Sequence, residues 1–355
     1  MAYTDIDDPS KYMQTALFTG NGGTNAITNT GNSDLQPDWI WFKRRNGTDN
    51  HILFDVVRGV TKGIYADLNN AQDNLADSLS SFNSDGFTLG ADTGSGGSIN
   101  GSSETMVAWQ WKAGTSFTND ASGTGIGTID SAGSFNNDAG FSIVTYSGTG
   151  SNGTIKHGLN SVPKIILWKR IDNNAGAVNW IVQSTLFGNQ TKLVLNTTEA
   201  FSTNSSFSQT NNWTSSLIDL KNYEGQNASN GTYIAYCFAE KKGYSKFGSY
   251  KGNGNANGTF IYTGFKPALF ICKRTDATSD WFIWDNKRGA INEITARLVP
   301  NENGAEGSAS IDFVSNGIKI RNNATARNAS GGTYIYMAFA ENPFVTSSGV
   351  PATAR

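Results

Sequence analysis

Histidine and cysteine, which often act as bases, nucleophiles or metal ligands, occur only twice each in this chain. His51 and His157 lie in polar sequence surroundings that differ from one another, so the pattern does not supply the base of a Ser–His–Asp triad. Cys237 and Cys272 each lie inside an apolar, strand-like run, where free cysteine behaves as a small buried hydrophobic residue; a disulfide between them is the alternative. These four residues lack the spacing of zinc ligands.

Other cofactor sites are equally weakly indicated. The chain contains no phosphate-binding GxxxxGK[ST] motif, and its glycine-rich stretches precede apolar strand-like runs rather than helices. Asp5, Asp7 and Asp8 lie close together near the N-terminus, but they do not follow the spacing of a calcium-binding loop. We therefore expect no metal and no cofactor.

Paired carboxylates could hydrolyse glycosides if two of them faced each other across a sugar. The candidates are Asp280, Asp285, Glu240 and Glu341. However, Asp285 belongs to an Asp-x-x-Arg-Gly element, Asp285 and Arg288, which recurs as Asp55 and Arg58. An acid–base pair that is repeated within one chain is typical of a structural element, in which the carboxylate accepts turn amides or pairs with arginine. We therefore predict that the protein is not an enzyme.

A glycan-binding site is the alternative that the side chains favour most. Aromatic faces stack on sugar C–H groups, while Asn, Asp and backbone groups supply hydrogen bonds. Asn211, Asn212 and Trp213 lie together in a polar stretch, which makes them the candidate glycan-binding residues. The alternative is that Trp213 is buried and anchors a long loop.

Three stretches of the chain repeat one pattern, in which a proline precedes an apolar strand that ends in Lys-Arg: QPDWIWFKR, VPKIILWKR and KPALFICKR. The prolines are Pro37, Pro163 and Pro267, and each lies six positions before a lysine, which is Lys43, Lys169 or Lys273. Each stretch later contains Asn-[Gly/Ala]-Ser followed by an aromatic strand. We expect the lysines to begin a solvated turn after a buried strand, with a repeated anion site as the alternative.

The composition predicts an all-β protein with three tandem β-sandwich repeats of jelly-roll or lectin-like type. Only 16% of the 355 residues are charged, whereas 40 are Gly and 12% are aromatic, which favours strands and turns over amphipathic helices. The predicted boundaries are an N-terminal arm at 1–11, repeats at 12–113, 140–240 and 247–345, and a C-terminal tail at 346–355. A Gly/Ser/Asn-rich linker at 114–139 separates the first two repeats, and a short linker at 241–246 separates the last two.

The charge balance, 27 basic against 29 acidic residues, gives a net charge of −2 and no footprint for nucleic acid. No run approaches the apolar length of a membrane span, so we expect no membrane insertion. The N-terminal MAYTDIDDPSKYMQ lacks the pattern of a secretory signal, which predicts synthesis and folding in a cytoplasm.

The motifs FTGNGG, SDLQPDW, FNSDGF, VAWQWKAG, GYSKFGSYKGNG, YTGFKP and TYIYMAFAENPF resemble a domain family of marine tailed-phage virion proteins. Proteins of that family are tail-fibre-like or lectin-like and largely uncharacterised. The resemblance covers nearly the whole chain from about Tyr12, and it implies a virion protein made in the host cytoplasm.

Three functions follow as hypotheses. The first is a tail-fibre or appendage protein that binds host surface glycans and other virion proteins. The second is a capsid decoration or spike protein with no receptor role. The third is an envelope polysaccharide depolymerase, which is disfavoured because the sequence lacks a catalytic arrangement of carboxylates or histidines. Because weak glycan contacts gain strength from multivalency, we expect a homo-oligomer, with a trimer favoured, docked through a terminus.

Overall fold

The predicted all-β class is confirmed. The computed structural model describes residues 4–93, 98–174 and 176–353, which form several separate sheets. We call residues 12–113, 140–240 and 247–345 the first, second and third segments. The strands of the first segment are β1 (Met13–Thr19), β2 (Asn25–Ile27), β3 (Trp39–Arg44), β4 (Ile52–Asp55), β5 (Lys62–Tyr65), β6 (Asp73–Asn74), β7 (Leu79–Phe82), β8 (Phe87–Leu89) and β9 (Thr105–Trp111).

The remaining elements follow in chain order. Before the second segment come β10 (Thr115–Asn119), the short helix α1 (Ala121–Thr124) and β11 (Ser131–Asn136). The second segment contains β12 (Phe141–Ser147), β13 (Gly153–Lys156), β14 (Ile165–Arg170), β15 (Ile181–Ser184), β16 (Thr191–Val194), β17 (Ser202–Thr203), β18 (Leu217–Leu220) and β19 (Thr232–Phe238). β20 (Ser245–Lys251) begins inside the predicted short linker 241–246 and continues into the third segment. The rest of the third segment contains β21 (Phe260–Tyr262), β22 (Phe265–Arg274), β23 (Trp281–Asp285), β24 (Ile294–Arg297), β25 (Gly307–Val314), β26 (Gly317–Ile320), the helix α2 (Thr325–Asn328) and β27 (Thr333–Pro343). Two 3₁₀ turns span Pro9–Lys11 and Thr210–Asn212.

The large sheet of each segment has the same antiparallel strand order at its centre. That order is β1-β9-β3-β4 in the first sheet, β12-β19-β14-β15 in the second and β20-β27-β22-β23 in the third. The first sheet continues with β5 and β6, and the second with β16 and β17. In every case the strand after the repeated proline pairs with the aromatic strand that closes the segment.

A smaller sheet covers one face of each large sheet. The small sheets are β2-β8-β7, β13-β18 and β21-β26-β25-β24. Between the layers, Phe42 of β3 packs edge-on against Phe87 of β8, with ring centroids 5.1 Å apart. In the third segment, Phe270 and Trp284 share a buried cluster with Phe313 of β25.

The other faces of the three large sheets pack against one another in a common core. Residues of all three segments belong to this central cluster, including Trp39, Trp41, Trp109, Ile165, Leu167, Trp180, Leu269, Ile271 and Trp281. Strands that are buried on both faces need apolar residues at successive positions, which explains the uninterrupted runs WIWF, IILW and LFIC. The three segments are therefore held by one shared core.

Residues 114–139, the predicted Gly/Ser/Asn-rich linker, form regular structure instead. β10 and β11 extend the second sheet by pairing with each other and with β12. A β-carbon on Gly133 would overlap the carbonyl oxygen of Ile143, so glycine permits the close approach of these strands. This small, polar stretch thus forms two strands at one end of the second sheet, of which β10 is the edge strand.

The described part of the predicted N-terminal arm, residues 4–11, packs against other residues of the same chain. Thr4 Oγ1 donates a hydrogen bond to the carbonyl oxygen of Lys242 (3.3 Å), and Ile6 joins the central cluster. Asp7 accepts hydrogen bonds from Ser347 in the predicted C-terminal tail. Residues 1–3 and 354–355 of these predicted ends lie outside the described residues. None of the helices in the described ranges has the length and apolarity of a membrane span.

Candidate functional site

The repeated acid–base pairs lie at junctions between segments. The side chains of Asp55 and Arg58 are buried, and Arg58 Nε donates to Asp55 Oδ2 at 2.7 Å. The backbone amides of Val57 and Arg58 donate to the other carboxylate oxygen. From the second segment, Tyr236 Oη donates to Asp55 Oδ2 at 2.7 Å. Burial, helped by the charge of Asp55, raises the pKa of Tyr236 well above its usual value, so the phenol remains a neutral donor.

The same arrangement joins the first segment to the third. Arg288 Nε donates to Asp285 Oδ2 at 2.6 Å, and both side chains are fully buried. The donor from the neighbouring segment is Trp109, whose Nε1 lies 3.0 Å from Asp285 Oδ2. The Arg288 guanidinium also lies 5.4 Å from the centre of the Trp109 ring, within the range of a cation–π contact.

The third junction, between the second and third segments, lacks these polar groups on both sides. Ser184 occupies the position of the aspartate at the end of β15, and Phe187 occupies that of the arginine. The residue corresponding to Tyr236 and Trp109 is Met337, which has no donor and belongs to the central cluster against which Phe187 packs. The acid–base pair and its donor are thus present together at two junctions and absent together at the third.

The three lysines of the Lys-Arg pairs are buried, so the predicted solvated turn is wrong for their side chains. Each ammonium group donates to a backbone carbonyl of a neighbouring segment: Lys43 to Asn303 (3.1 Å), Lys169 to Asn69 (3.0 Å) and Lys273 to Thr198 (3.3 Å). Burial lowers their pKa values to about 8, 7 and 8, respectively. Because these ammonium groups are occupied by carbonyl oxygens, they do not form an anion site.

These contacts run in one direction around a closed ring of three segments. The lysines connect the first segment to the third, the second to the first, and the third to the second. Two indole groups form hydrogen bonds between the same segments as the lysines do. Trp180 Nε1 of the second segment donates to Tyr65 O of the first at 2.7 Å, and Trp281 Nε1 of the third donates to Val194 O of the second at 2.9 Å. At the remaining junction the matching ring is that of His51, which faces the backbone of Val299. Burial lowers the pKa of His51 well below its usual value.

The repeated prolines occupy equivalent places. Pro37 and Pro163 lie two residues before β3 and β14, respectively. Pro267 lies inside the longer β22, next to register shifts in its pairing with β27. All three side chains are buried. Their role is to begin the doubly buried part of each strand, where a missing N–H is tolerated.

The glycan-binding expectation for Trp213 is wrong, because this side chain is only 5% exposed. Its ring packs against that of Trp168, with centroids 5.7 Å apart, and its Nε1 donates to Ser208 Oγ at 2.9 Å. Asn211 and Asn212 are exposed, but they have no accessible tryptophan face beside them. Trp213 therefore anchors its loop.

The other candidate catalytic groups have separate structural partners. Asp280 accepts from Asn301, Glu240 pairs with Lys246, and Glu341 pairs with Lys266. Burial lowers the pKa of His157 to about 4 and raises those of the free thiols of Cys237 and Cys272 to about 12. Within the described ranges, no cluster of three or more His, Cys, Asp or Glu side chains could hold a metal ion.

Comparison with known proteins places these features in a family. A family model described as Domain of unknown function (DUF7483) matches residues 8–343. The chain belongs to this family. The match includes the first and second segments and all but the last two residues of the third. No curated protein matches the chain.

One exposed feature lies outside the residues predicted from the sequence. Phe260 and Tyr262 of β21 are 46% and 59% exposed, although they are large aromatic residues. The alternation Phe-Ile-Tyr, with one buried residue between two others, is the signal that could have identified an exposed aromatic pair.

Proposed function

We propose that the protein is a non-catalytic structural component of a tailed-phage virion, a tail-fibre or appendage protein that contacts host surface glycans. The observation that most supports a non-catalytic role is that the repeated acid–base pairs are buried between segments. Asp55, Arg58, Asp285 and Arg288 hold segments together at their junctions, and no substrate could reach them without opening the core. The virion setting is supported by the family resemblance of the sequence motifs.

The finer architecture that we propose is three tandem β-sandwich domains closed into a ring. Support comes from the common strand order of the large sheets, the small sheet that covers each of them, and the cyclic pattern of lysine contacts. A ring of three domains in one chain provides the three-fold arrangement that a trimer would otherwise supply. The expected homotrimer therefore competes with a monomeric ring, and the mass in solution distinguishes them.

The second candidate is a capsid decoration or spike protein with no receptor role. The burial of Trp213 favours this second candidate, because the predicted glycan-binding stretch Asn211–Trp213 then has no exposed aromatic ring on which a sugar could stack. In either case, other virion proteins are the proposed partners. Near the N-terminus, Thr4 contacts Lys242 and Asp7 contacts Ser347 of the C-terminal tail, so both terminal regions lie on one side of the molecule. This supports attachment through that side.

Purified particles provide the direct test. We expect mass spectrometry to detect the protein in gradient-purified virions of the phage that encodes it, and gold-labelled antibodies to bind the tail. Label on the capsid would favour decoration, and absence of the protein from particles would overturn the proposal. Incubation of purified protein with host envelope polysaccharide should release no reducing ends; enzymatic release would support the depolymerase instead.

A further inference from the structure

We infer that Phe260 and Tyr262 of β21 form a binding platform for a neutral polysaccharide. The inference rests on the glycan-binding part of the proposed function and replaces the loop around Trp213 as its site. Both aromatic side chains lie on the outer face of the small sheet, whereas Ile261 between them is 4% exposed and faces the core. An extended strand separates such alternate residues by about 6.6 Å, so their rings can contact one ligand together.

The fold does not require aromatic residues at these positions. Ile261 pairs with Ile318, as Ile27 pairs with Phe87 in the first segment and Ile155 pairs with Ile218 in the second. The residues that flank these isoleucines are Ala26 and Thr28 in the first segment and Thr154 and Lys156 in the second. The same strand thus forms with small or polar residues, and the exposed aromatic pair is particular to the third segment.

The local geometry keeps the platform open. A β-carbon on Gly317, which pairs with Tyr262, would lie 2.9 Å from two ring carbons of Phe260, so this ring lies over the glycine backbone. Tyr262 also lines a cleft of about 550 Å³. Asp5, Glu240 and Phe344 line the same cleft, which adds hydrogen-bonding groups and a third aromatic ring.

The charges around the platform select a neutral ligand. Lys319, opposite Phe260, donates to the carbonyl oxygen of Gly258, and Arg321 pairs with Asp312 on the neighbouring strand. In the cleft, Glu240 pairs with Lys246 at 2.8 Å. The cleft lining holds two acidic residues, Asp5 and Glu240, beside two basic ones, Lys242 and Lys246, so its charges balance and it has no cationic cluster for an anionic glycan. Exposed aromatic faces bind the polarised C–H groups of uncharged pyranose rings, and nearby polar groups can accept their hydroxyl protons.

Affinity electrophoresis of the full chain tests the inference. Native gels would contain dextran, soluble β-glucan, α-mannan or the purified neutral surface polysaccharide of the host, and retardation against a non-binding reference protein gives the affinity. We expect retardation by at least one of these polysaccharides. Tyr262→Ala and Phe260→Ala should each weaken it about tenfold, whereas Tyr262→Phe, which keeps the ring, should retain most of it.

Ile291→Ala is the matched control, because Ile291 is 77% exposed in the same segment and lies apart from the cleft-lining residues. Thermal midpoints of all variants should match the parent protein, since the substituted side chains are exposed. Binding by the parent that survives both alanine substitutions would overturn the platform but not glycan binding. No binding to any polysaccharide would overturn both. Self-association that disappears in Phe260→Ala and Tyr262→Ala would identify a protein interface instead.

Discussion

Tyr236 of the second segment donates a hydrogen bond of 2.7 Å to Asp55 of the first, 181 positions away along the chain. Trp109 makes the equivalent contact to Asp285, but Met337 at the third junction meets a segment that has Ser184 in place of the aspartate. A buried carboxylate is stable only when its hydrogen-bonding and ionic partners are present. Removal of the acid, the base and the donor together therefore leaves an apolar junction that is also stable.

Loss of one member of a buried set should be costly. We expect Asp55→Ala to lower the free energy of unfolding by about 3–5 kcal/mol, because Arg58 is left buried without its counter-charge. The control is Asp276→Ala, which removes a half-exposed ion pair with Arg274 and should cost less than about 1 kcal/mol. Urea denaturation measures both. Equal costs would show that the junction pair contributes no more than a surface pair.

The shared core predicts cooperative unfolding of the whole ring. Trp39, Leu167 and Ile271 come from different segments but belong to one buried cluster, so none of the segments can lose its fold without exposing the others. Differential scanning calorimetry should show a single transition with equal calorimetric and van't Hoff enthalpies. Three separate transitions would contradict the interdependence of the segments.

Burial of Lys169 predicts a pH-dependent contribution to stability. Its pKa is lowered from 10.5 to about 7 in the folded protein, so between these values the unfolded chain binds more protons at this residue. The contribution of Lys169 to the free energy of unfolding therefore rises with pH across that window. Chemical denaturation at several pH values should give a smaller slope for Lys169→Met than for the parent. Lys251→Met, which replaces an exposed lysine, is the control substitution.

Trp213→Ala should destabilise the protein rather than abolish a binding site. The buried ring fills space beside Trp168, and its loss should cost about 3–5 kcal/mol. Trp213→Phe preserves much of the packing and should cost less, although Ser208 loses the indole donor. Thermal denaturation measures the change. An unchanged midpoint for Trp213→Ala would contradict the buried role.

The inserted strands should protect the edge of the second sheet. Replacement of residues 115–136 by a short linker removes β10 and β11 and leaves β12 as an exposed edge. Hydrogen exchange of β12 amides should become faster, and the variant should aggregate more readily, because an unpaired edge accepts other strands. Light scattering and hydrogen exchange check this. Unchanged exchange in β12 would contradict the protective role.

Three features could be predicted without a structure: the β class, the equivalence of the strands that carry the Lys-Arg pairs, and the structural use of the Asp-x-x-Arg pairs. These features depend on local composition, on residue spacing and on recurrence within the chain, all of which are visible without a structure. The apolar runs before the Lys-Arg pairs likewise indicated buried strands.

The fold was needed to show which surfaces cover the faces of these strands and which groups form hydrogen bonds with their polar residues. Lys169 Nζ donates a hydrogen bond to the carbonyl oxygen of Asn69, 100 positions earlier in the chain. The local Lys-Arg pattern does not reveal this partner, because it would be the same for a lysine exposed to solvent. Trp213 has polar neighbours in sequence, yet Trp168 buries it. The composition of residues 114–139 is typical of a linker, but β10 and β11 within this range join the second sheet because β11 pairs with β12. In each case the outcome depends on a partner distant in sequence, because burial and hydrogen bonding are set by what packs nearby in space.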